Sequence, residues 1–387
     1  MPYMLFPRKS FYVPSFDNLR MPLFSILANV PKLLSRGNRP LQMTFEDQLN
    51  ALIFFHLEEH TSGRHLVQTL QEDDFARNNI APADGISKSS FFEAVNERGL
   101  EQFMYVFQEL QKKAVKVLPK QFAELGDLVA IDGSLIDAVL SMAWADYRKK
   151  SKKAKLHLGF NINNSIPQKL FLTNGNGAER AFVEQILESG QTGIMDRGYQ
   201  NHNNFDQLQE QGMHFVCRIK GNTTKTCLKE LSVEADSIIF YDAIVLLGQA
   251  GINETKKALR LVGYNVGSKK FWVATDRFDL SAEQIARIYE LRWNIEKFFA
   301  WWKRHLRVYH LITRSKHGLM VQILSGLITY LLLAIYCHDQ HGEKVSIKRV
   351  RELRNKIINE TRELSTEQPN QSFLSPNSFG LQHHASP

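Results

Sequence analysis

Residues 128–134 read LVAIDGS, a run of four apolar residues that ends in an acid and a glycine. A short, continuous apolar run is typical of a strand that is buried on both faces. An acid at the carboxyl end of such a strand points into an open crevice, and Gly133 lets a ligand approach the backbone there. We therefore predict that Asp132 ends a buried strand. An aspartate at a strand end is also a common turn residue, so a ligand site and a plain turn both remain open for Asp132 alone.

Downstream of this strand, short strands and helices alternate. Gly190 and Gly212 each follow a helical pattern and end it. The short strand at residues 193–195 ends in a second aspartate, Asp196, which Arg-Gly-Tyr follows. The predicted order is strand, strand, strand, helix, strand, helix, strand, over residues 128–131, 156–161, 169–173, 178–189, 193–195, 203–211 and 214–219.

Further strands and a long helix come next. Residues 237–241, 261–264 and 271–275 have the apolar content and spacing of hairpin strands. They form an insertion before a helix predicted over residues 282–306. Ser281 and Gln284 make the capping box that begins this helix.

The first part of the chain reads as helical. Residues 1–43 predict an irregular arm with one short helix, and helices are predicted over residues 44–59, 66–70, 91–98 and 100–117. Ser and Lys residues precede the third helix, as in a helix-turn-helix, but capped helices of a plain bundle look the same. The tail beyond Pro369 is rich in Asn, Ser, Pro and Gln, which indicates disorder.

The bulk composition limits the class of protein. The chain has 387 residues with 43 % hydrophobic and 23 % charged residues, which predicts a soluble globular protein of two or three domains. The net charge of +8 favours a phosphate-rich partner such as DNA, although many basic proteins bind no nucleic acid. Three scattered cysteines without a C-x-x-C pair predict reduced thiols in the cytoplasm. Residues 319–337 are apolar enough for a membrane span, but three polar residues interrupt them, so we expect a buried core helix and no membrane partner.

The predicted long helix carries a polar stripe of tyrosine, arginine, glutamate and lysine at Tyr289, Arg292, Glu296 and Lys303. At 100° per residue the four side chains fall within an arc of about 60°. An acid between two bases on a buried-facing stripe must be paired or must bind something. The alternative is a solvated face with Glu296 paired to Arg292, which fits poorly with the aromatic residues around it.

The spacing Y-x2-R-x3-E-x6-K resembles the signature of bacterial insertion-sequence transposases of the DDE type. The Arg-Gly-Tyr after Asp196 and the β insertion before the helix of Glu296 resemble that family too, over roughly residues 126 to 340. The resemblance implies an α/β fold, with an RNase H-like mixed sheet flanked by helices, a β-rich insertion and an N-terminal helical domain. The implied domains are a helical DNA-binding domain at 1–125, a catalytic core at 126–220 and 277–340, the insertion at 221–276, and a C-terminal helix with a disordered tail at 341–387.

The resemblance implies that Asp132, Asp196 and Glu296 are catalytic and bind metal. Transfer of a phosphodiester develops negative charge on the attacking and leaving oxygens, which two divalent ions about 4 Å apart can stabilise. Three carboxylates suit Mg²⁺, and Mn²⁺ should substitute.

The expected function is that of a transposase that cuts the terminal inverted repeats of its element, through hairpin ends, and joins them to target DNA. It would act as a homodimer in the synaptic complex, in the bacterial cytoplasm and on the nucleoid when bound to DNA. An RNase H-like nuclease without strand transfer and a catalytically retired DNA-binding descendant are the alternatives.

Other residues are candidates for contact with DNA. The resemblance implies that Tyr289, Arg292 and Lys303 contact phosphates, and that Trp272 stacks on a flipped nucleotide. Trp272 could equally be a core aromatic residue of a hairpin. Six of the eight residues 148–155 are basic, which indicates either a phosphate contact or a solvated loop. The remaining candidate DNA contacts are Arg197, Lys149, Lys150, Lys152, Lys153 and Lys155.

Overall fold

A mixed sheet with helices on both faces forms the centre of the protein, and the computed structural model describes residues 14–33, 40–148 and 151–366. The helices that precede the sheet are α1 Pro14–Arg20, α2 Phe24–Leu27, α3 Phe45–Leu57, α4 Gly63–Glu72, α5 Asp74–Asn79, α6 Lys88–Glu97 and α7 Leu100–Val117. The strands are β1 Asp127–Asp137, β2 Lys153–Asn161, β3 Ile166–Asn174, β4 Gln191–Met195, β5 His214–Arg218, β6 Lys225–Glu230, β7 Ile239–Leu247, β8 Leu259–Val266 and β9 Lys269–Thr275. The later helices are α8 Val183–Ile186, α9 His202–Glu210, α10 Ala282–Leu291, α11 Trp293–His305, α12 Lys316–His341 and α13 Ile347–Thr366.

One nine-stranded sheet has the order β3-β2-β1-β4-β5-β9-β8-β7-β6. β1, β4 and β5 are parallel, whereas β2 and β3 are antiparallel additions beside β1. The strands of the insertion continue the same sheet, because β9 pairs antiparallel with β5. This architecture confirms the expected α/β fold, with a mixed sheet of RNase H-like order flanked by helices and extended by a β-rich insertion.

Alternating side chains divide the sheet into two faces. Ala130 of β1 and Ile194 of β4 belong to the larger apolar core, which also contains α7, α10, α11 and α12. Val129 and Ile131 of β1 belong to the second core, which contains α8 and α9. Side chains of successive strand residues point to opposite faces. The first face, which we call the helix face, is therefore the one that α10 and α11 cover.

The strand that contains Asp132 is longer than the sequence predicted. β1 has 11 residues, and Asp132 lies in its middle rather than at its end. The reason is its pairing: β2 pairs with β1 from Val129 to Asp137, whereas β4 pairs with it only from Asp127 to Ala130. Asp132 therefore lies where β1 loses its neighbour β4. The sequence predicted an opening beyond the strand end, whereas the edge of β1 that β4 leaves unpaired lies beside Asp132.

The predicted long helix is broken at Arg292. α10 ends at Leu291 and α11 begins at Trp293. The amide of Arg292 donates to the carbonyl of Tyr289, and the amide of Ile295 donates to the carbonyl of Arg292. These bonds span three residues instead of four, so the turn is locally tightened. The capping box of Ser281 and Gln284 is present as predicted.

Other boundaries also differ from the sequence prediction. The helix predicted over 178–189 is a 3₁₀ turn at Glu179–Phe182 followed by the single turn of α8. β6 was not predicted, because its residues are mostly exposed and lack a buried apolar pattern. The tail beyond Pro369, residues 1–13 and 34–39 of the predicted N-terminal arm, and Lys149 and Lys150 lie outside the described residues.

The most apolar helix, α12, is a core helix. Among the described residues it is the one helix long and apolar enough to cross a membrane, and 89 % of its most apolar window is buried. It packs against α3, α6 and α7. Its buried Gln322 and Ser325 are hydrogen-bonded to the backbone and to His56. The polar interruptions that argued against a membrane span therefore have partners inside the fold.

Close packing beside the strand of Asp132 yields a first testable prediction. Gly159 of β2 pairs with Ile131, and a Cβ on Gly159 would lie 2.5 Å from Cγ2 of Ile186 on α8. We expect Gly159→Ala to lower the free energy of unfolding by about 1–3 kcal/mol, because the added methyl group overpacks this contact. Urea unfolding measures the loss. The double variant Gly159→Ala/Ile186→Ala should lose less than the sum of the single variants, and strict additivity would contradict the proposed clash.

Candidate active site and metal centre

Asp132 lies on β1, and Asp196 directly follows the neighbouring parallel strand β4. Ala130 pairs with Ile194 in the parallel register of β1 and β4. Two residues further along the chain, Asp132 and Asp196 lie next to each other where the pairing of β1 with β4 has ended. Both side chains share the helix face with Ala130 and Ile194. The fold therefore brings together two acids that are 64 positions apart in the sequence numbering.

Each aspartate is oriented by a backbone amide. Oδ1 of Asp132 accepts a hydrogen bond of 2.8 Å from the amide of Gly133. Oδ1 of Asp196 accepts one of 2.7 Å from the amide of Gly198. Within the described part of the chain, the second oxygen of neither carboxylate has a hydrogen-bond partner. Each aspartate is thus fixed through one oxygen and keeps the other available for a ligand.

Glu296 reaches the same region from α11, which packs against β1. Nη2 of Arg292 donates a hydrogen bond of 2.6 Å to Oε1 of Glu296. Burial raises the pKa of Asp132 to about 6, and the negative charges of Asp196 and Glu296 contribute to the rise. The hydrogen bond from Gly133 and the positive charge of Arg292 oppose it. The three acids therefore interact electrostatically in one site.

Arg292 lies at the break between α10 and α11. Its guanidinium carbon is 5.8 Å from the ring centroid of Tyr289 and 5.3 Å from that of Trp293. The residue is only 8 % exposed, yet its Nε has no hydrogen-bond partner. A buried guanidinium donor without an acceptor is costly, so this side chain is prepared for a further anionic ligand.

Lys303 borders the other side of Asp132. Its Nζ donates a hydrogen bond of 2.5 Å to the carbonyl of Leu135 on β1. Burial lowers the pKa of Lys303, while the charges of Asp137 and Asp132 oppose that change. The structure thus places all four members of the Tyr289, Arg292, Glu296 and Lys303 stripe along the helix face of β1 and β5. The roles assigned to them from the sequence stay predictions.

The donor set fits hard divalent cations such as Mg²⁺, which prefer carboxylate oxygens. In the residues that the structure describes, no three His, Cys, Asp or Glu side chains are close enough to form a finished metal centre. Glu296 is paired with Arg292 instead. Two aspartate oxygens are free to bind a divalent cation, and a third carboxylate is nearby. Such a cation would neutralise the negative charge that the acids share, which contributes to the raised pKa of Asp132.

Trp272 lies on the opposite face of the sheet from the two aspartates. It packs at the second core and contacts the rings of Phe240 and Tyr241. Nζ of Lys225 is 3.9 Å from the Trp272 ring centroid. Its neighbour Phe271 is on the helix face and contacts Tyr289. Stacking of Trp272 on a nucleotide stays a prediction, and such a nucleotide would have to reach around the edge of the sheet.

The basic segment is largely paired with carboxylates. Lys152 contacts Asp146, Lys153 contacts Asp137, and Lys155 contacts Glu179 at 3.1, 2.6 and 3.1 Å respectively. Arg197, directly after Asp196, is exposed. Contact of these side chains with DNA stays a prediction, and for the paired lysines it would require exchange of a carboxylate for a phosphate.

Sequence reasoning missed two residues next to the site. Tyr199 is buried, and burial raises its pKa, with contributions from the charges of Glu179, Asp132 and Asp196. Glu179 is a fourth carboxylate, beside Gly133. Tyr199 follows Asp196 in the Arg-Gly-Tyr motif, so the motif itself was a signal. Glu179 begins the 3₁₀ turn after β3, and its sequence surroundings gave no signal.

The raised pKa of Asp132 predicts a pH-dependent metal affinity. A divalent cation binds the carboxylate, so affinity should fall by about tenfold per pH unit below about pH 6. The stability of the metal-free protein depends on pH in the opposite direction to the metal affinity. Protonated Asp132 stabilises the folded state at low pH, and this contribution is lost as the pH rises through about 6. Titration with Mn²⁺ between about pH 8 and about pH 5 would measure the affinity. A pH-independent affinity, or the same slope in Asp132→Asn, would contradict the assignment.

A mixed sheet of this strand order, flanked by helices and extended by a β-rich insertion, defines the RNase H-like class of α/β proteins. Within that class, the chain belongs to the transposase DDE domain family, whose model matches residues 124–332. Members of this family act on DNA and generally use divalent metal.

Three similar proteins carry transposase names. The chain is 29 % identical over 209 residues to a probable transposase for insertion sequence element IS5377 from Geobacillus stearothermophilus, which covers 53 % of this chain and 55 % of that protein. It is 24 % identical over 298 residues to a putative transposase for insertion sequence element IS4SA from Synechocystis sp., covering 74 % and 82 %. A putative transposase y4zB from Sinorhizobium fredii is 26 % identical over 211 residues, covering 53 % and 59 %. The first and third matches thus span little more than half of the relative.

Proposed function

We propose that the protein is a DNA transposase that binds the terminal inverted repeats of an insertion sequence and catalyses metal-dependent cleavage and strand transfer. The observation that carries the proposal is the placement of Asp132 and Asp196 at one level of neighbouring strands, facing the Arg292–Glu296 pair. This arrangement lies within the segment that matches the transposase family.

Asp132, Asp196 and Glu296 would hold Mg²⁺, with Mn²⁺ as a substitute. When bound, the cations supply activation of a water or a DNA 3′-hydroxyl and neutralise charge on the phosphodiester. The protein holds Asp132 and Asp196 in position through the amides of Gly133 and Gly198. Asp132 must lose its proton to serve as a ligand, which the presence of nearby cationic side chains favours.

Arg292 and Lys303 would bind phosphates of the DNA end. Arg292 has an unpartnered Nε and a bidentate geometry that suits phosphate. A phosphate that draws Arg292 toward itself would free Glu296 for its role beside Asp132 and Asp196. Lys303, held on the carbonyl of Leu135, contributes positive charge on the other side of Asp132. Tyr289 would position the phosphate that Arg292 binds.

Assembly on DNA would involve the N-terminal helices and a second copy of the chain. The N-terminal helices would bind the terminal repeat, and two copies would synapse two element ends. Cleavage would proceed through hairpin ends with Trp272 stacking on a flipped nucleotide. The protein would work in the bacterial cytoplasm, on the nucleoid when bound to DNA. The domain boundaries at residues 125, 220, 276 and 340 are part of this proposal.

Cleavage of a labelled duplex that carries the element end tests the proposal. The reaction is run with Mg²⁺, with Mn²⁺ and with chelator, and products are resolved on a denaturing gel. We expect a nick at the element boundary that requires metal, followed by a hairpin product and, with target DNA, a joined product. Metal-dependent cuts scattered along any duplex would favour the nuclease without strand transfer. Binding without cutting under either metal would favour the retired DNA-binding descendant.

A further inference from the structure

Arg218 continues the row of the two catalytic aspartates across the sheet. Met195 of β4 pairs with Cys217 of β5 in a parallel register. The next residues, Asp196 and Arg218, therefore lie at the same level. Asp132 on β1, Asp196 directly after β4 and Arg218 at the end of β5 therefore follow one another along the sheet. Arg218 shares the helix face with Val216, which belongs to the larger core.

The guanidinium of Arg218 packs on a cluster of aromatic rings. Its carbon is 4.4 Å from the ring centroid of Phe271 on β9. Phe271 is stacked on Tyr264 at 5.6 Å with an interplanar angle of 15°, and its centroid is 6.3 Å from that of Tyr289. An aromatic face attracts a cation and limits its conformations without using its N–H donors. The Arg218 side chain is therefore held in place while its hydrogen-bonding capacity remains free.

Arg218 differs from the other half-buried or buried arginines near the sheet. Arg260 pairs with Asp242, Arg277 with Asp279, and Arg292 with Glu296. Across residues 14–33, 40–148 and 151–366, the Arg218 guanidinium makes no hydrogen bond and no ion pair. A guanidinium has five N–H donors, whose arrangement suits bidentate hydrogen bonds to carboxylate or phosphate. Its half-buried donors, on the strand next to the one that Asp196 follows, lack a counterpart among the described residues.

We propose that Arg218 binds a DNA phosphate on the insertion side of the metal site, and that Phe271 positions Arg218 for this contact. The inference rests on the proposed function, because it takes the helix face as the path of the DNA strand. Lys303 borders Asp132 along β1, and Arg218 borders Asp196 across the sheet. Arg292 lies at the helix break that covers them. The bound strand would thus run from β1 toward β9, with its scissile phosphate between Lys303 and Arg218.

Charge-matched variants test the contact. Arg218→Gln is compared with Arg287→Gln, which removes an exposed arginine of α10 that is paired with Glu290. Affinity for a labelled duplex carrying the element end is measured by fluorescence anisotropy in chelator, so that no cutting intervenes. We expect Arg218→Gln to bind about tenfold more weakly, with the salt slope reduced by about one, and Arg287→Gln to bind as the wild type does. Equal affinities and slopes for Arg218→Gln and Arg287→Gln would overturn the proposal.

A methylphosphonate scan separates a phosphate contact from a structural role. Neutral methylphosphonates replace single phosphates along the duplex. We expect one position near the boundary at which the replacement weakens wild-type binding but has no further effect on Arg218→Gln. Full additivity at every position would overturn the proposal.

Phe271→Leu keeps the charge of Arg218 but removes the aromatic ring on which its guanidinium packs. The salt slope of this variant should therefore stay that of the wild type while its affinity for DNA falls. Thermal unfolding checks that each variant is folded. Arg218→Lys keeps the positive charge but not the planar guanidinium, and it replaces Arg218→Gln if that variant is unfolded.

Failure of this inference is distinguishable from failure of the proposed function. If the wild type nicks the element boundary with metal and the Arg218→Gln effects are absent, only the Arg218 contact is wrong. If the wild type cuts no DNA under either metal, the proposed function is wrong, and the methylphosphonate scan still decides whether Arg218 binds a phosphate.

Discussion

Glu296→Gln is expected to abolish metal-dependent cutting of the element end while DNA binding persists. The amide keeps the size of the side chain and can still accept a hydrogen bond from Arg292, but it lacks the charge that a divalent cation requires. Loss of about 4 kcal/mol of transition-state stabilisation corresponds to a rate about a thousandfold lower. Single-turnover cleavage with Mg²⁺ measures the rate, and anisotropy in chelator measures binding.

Glu290→Gln is the matched control for this variant. Glu290 is also a helical glutamate paired with an arginine, Arg287, but its side chain is 65 % exposed and lies outside the site. Its variant should cut at the wild-type rate. Undiminished cutting by Glu296→Gln would remove Glu296 from the catalytic site, and loss of both cutting and binding would indicate a structural role.

Asp242→Ala should have the largest effect on stability. Arg260 Nε and Nη2 donate to the two carboxylate oxygens of Asp242 at 2.9 and 2.7 Å, and both residues are less than a tenth exposed. A further Arg260 donor reaches the carbonyl of Leu280, the residue before the Ser281 N-cap of α10. Removal of the acid leaves a buried guanidinium uncompensated, so we expect the free energy of unfolding to fall by about 3–5 kcal/mol, measured by urea denaturation.

Two variants check the cause of that loss. Replacing both partners, as in Asp242→Leu/Arg260→Met, should restore much of the stability, because no buried charge is left alone. Glu290→Ala, which breaks an exposed pair, should cost about 0–1 kcal/mol. A loss in Asp242→Ala as small as that of Glu290→Ala would show that the pair is open to solvent.

The sequence predicted most of the fold because its strongest patterns are local. The apolar run before Asp132, the short strand before Asp196 and the capping box at Ser281 each formed the predicted element. The family resemblance, confirmed by the match over residues 124–332, rests on the spacing along the helices of Glu296. Each of these signals lies within a short stretch of chain, where side-chain period and caps determine structure.

The remaining features depend on contacts between distant segments. β1 extends past Asp132 because β2 pairs with it there, although the residues after Asp132 lack an apolar pattern. The break at Arg292 involves neither Pro nor Gly, so no local signal marks it. The alternation of β9 shows that Phe271 and Trp272 face opposite ways, but only the register with β5 reveals that Phe271 shares the face of the two aspartates. Arg218 was missed for the same reason.

We propose that Asp132, Asp196 and Glu296 together hold divalent metal. Anomalous diffraction from crystals of the protein grown with Mn²⁺ and a duplex carrying the element end tests it most directly. We expect anomalous peaks within coordination distance of all three carboxylates, with Glu296 released from Arg292 and Arg292 on a DNA phosphate. Mn²⁺ bound elsewhere, or Asp132 and Asp196 free of metal while Glu296 stays paired with Arg292, would contradict the claim.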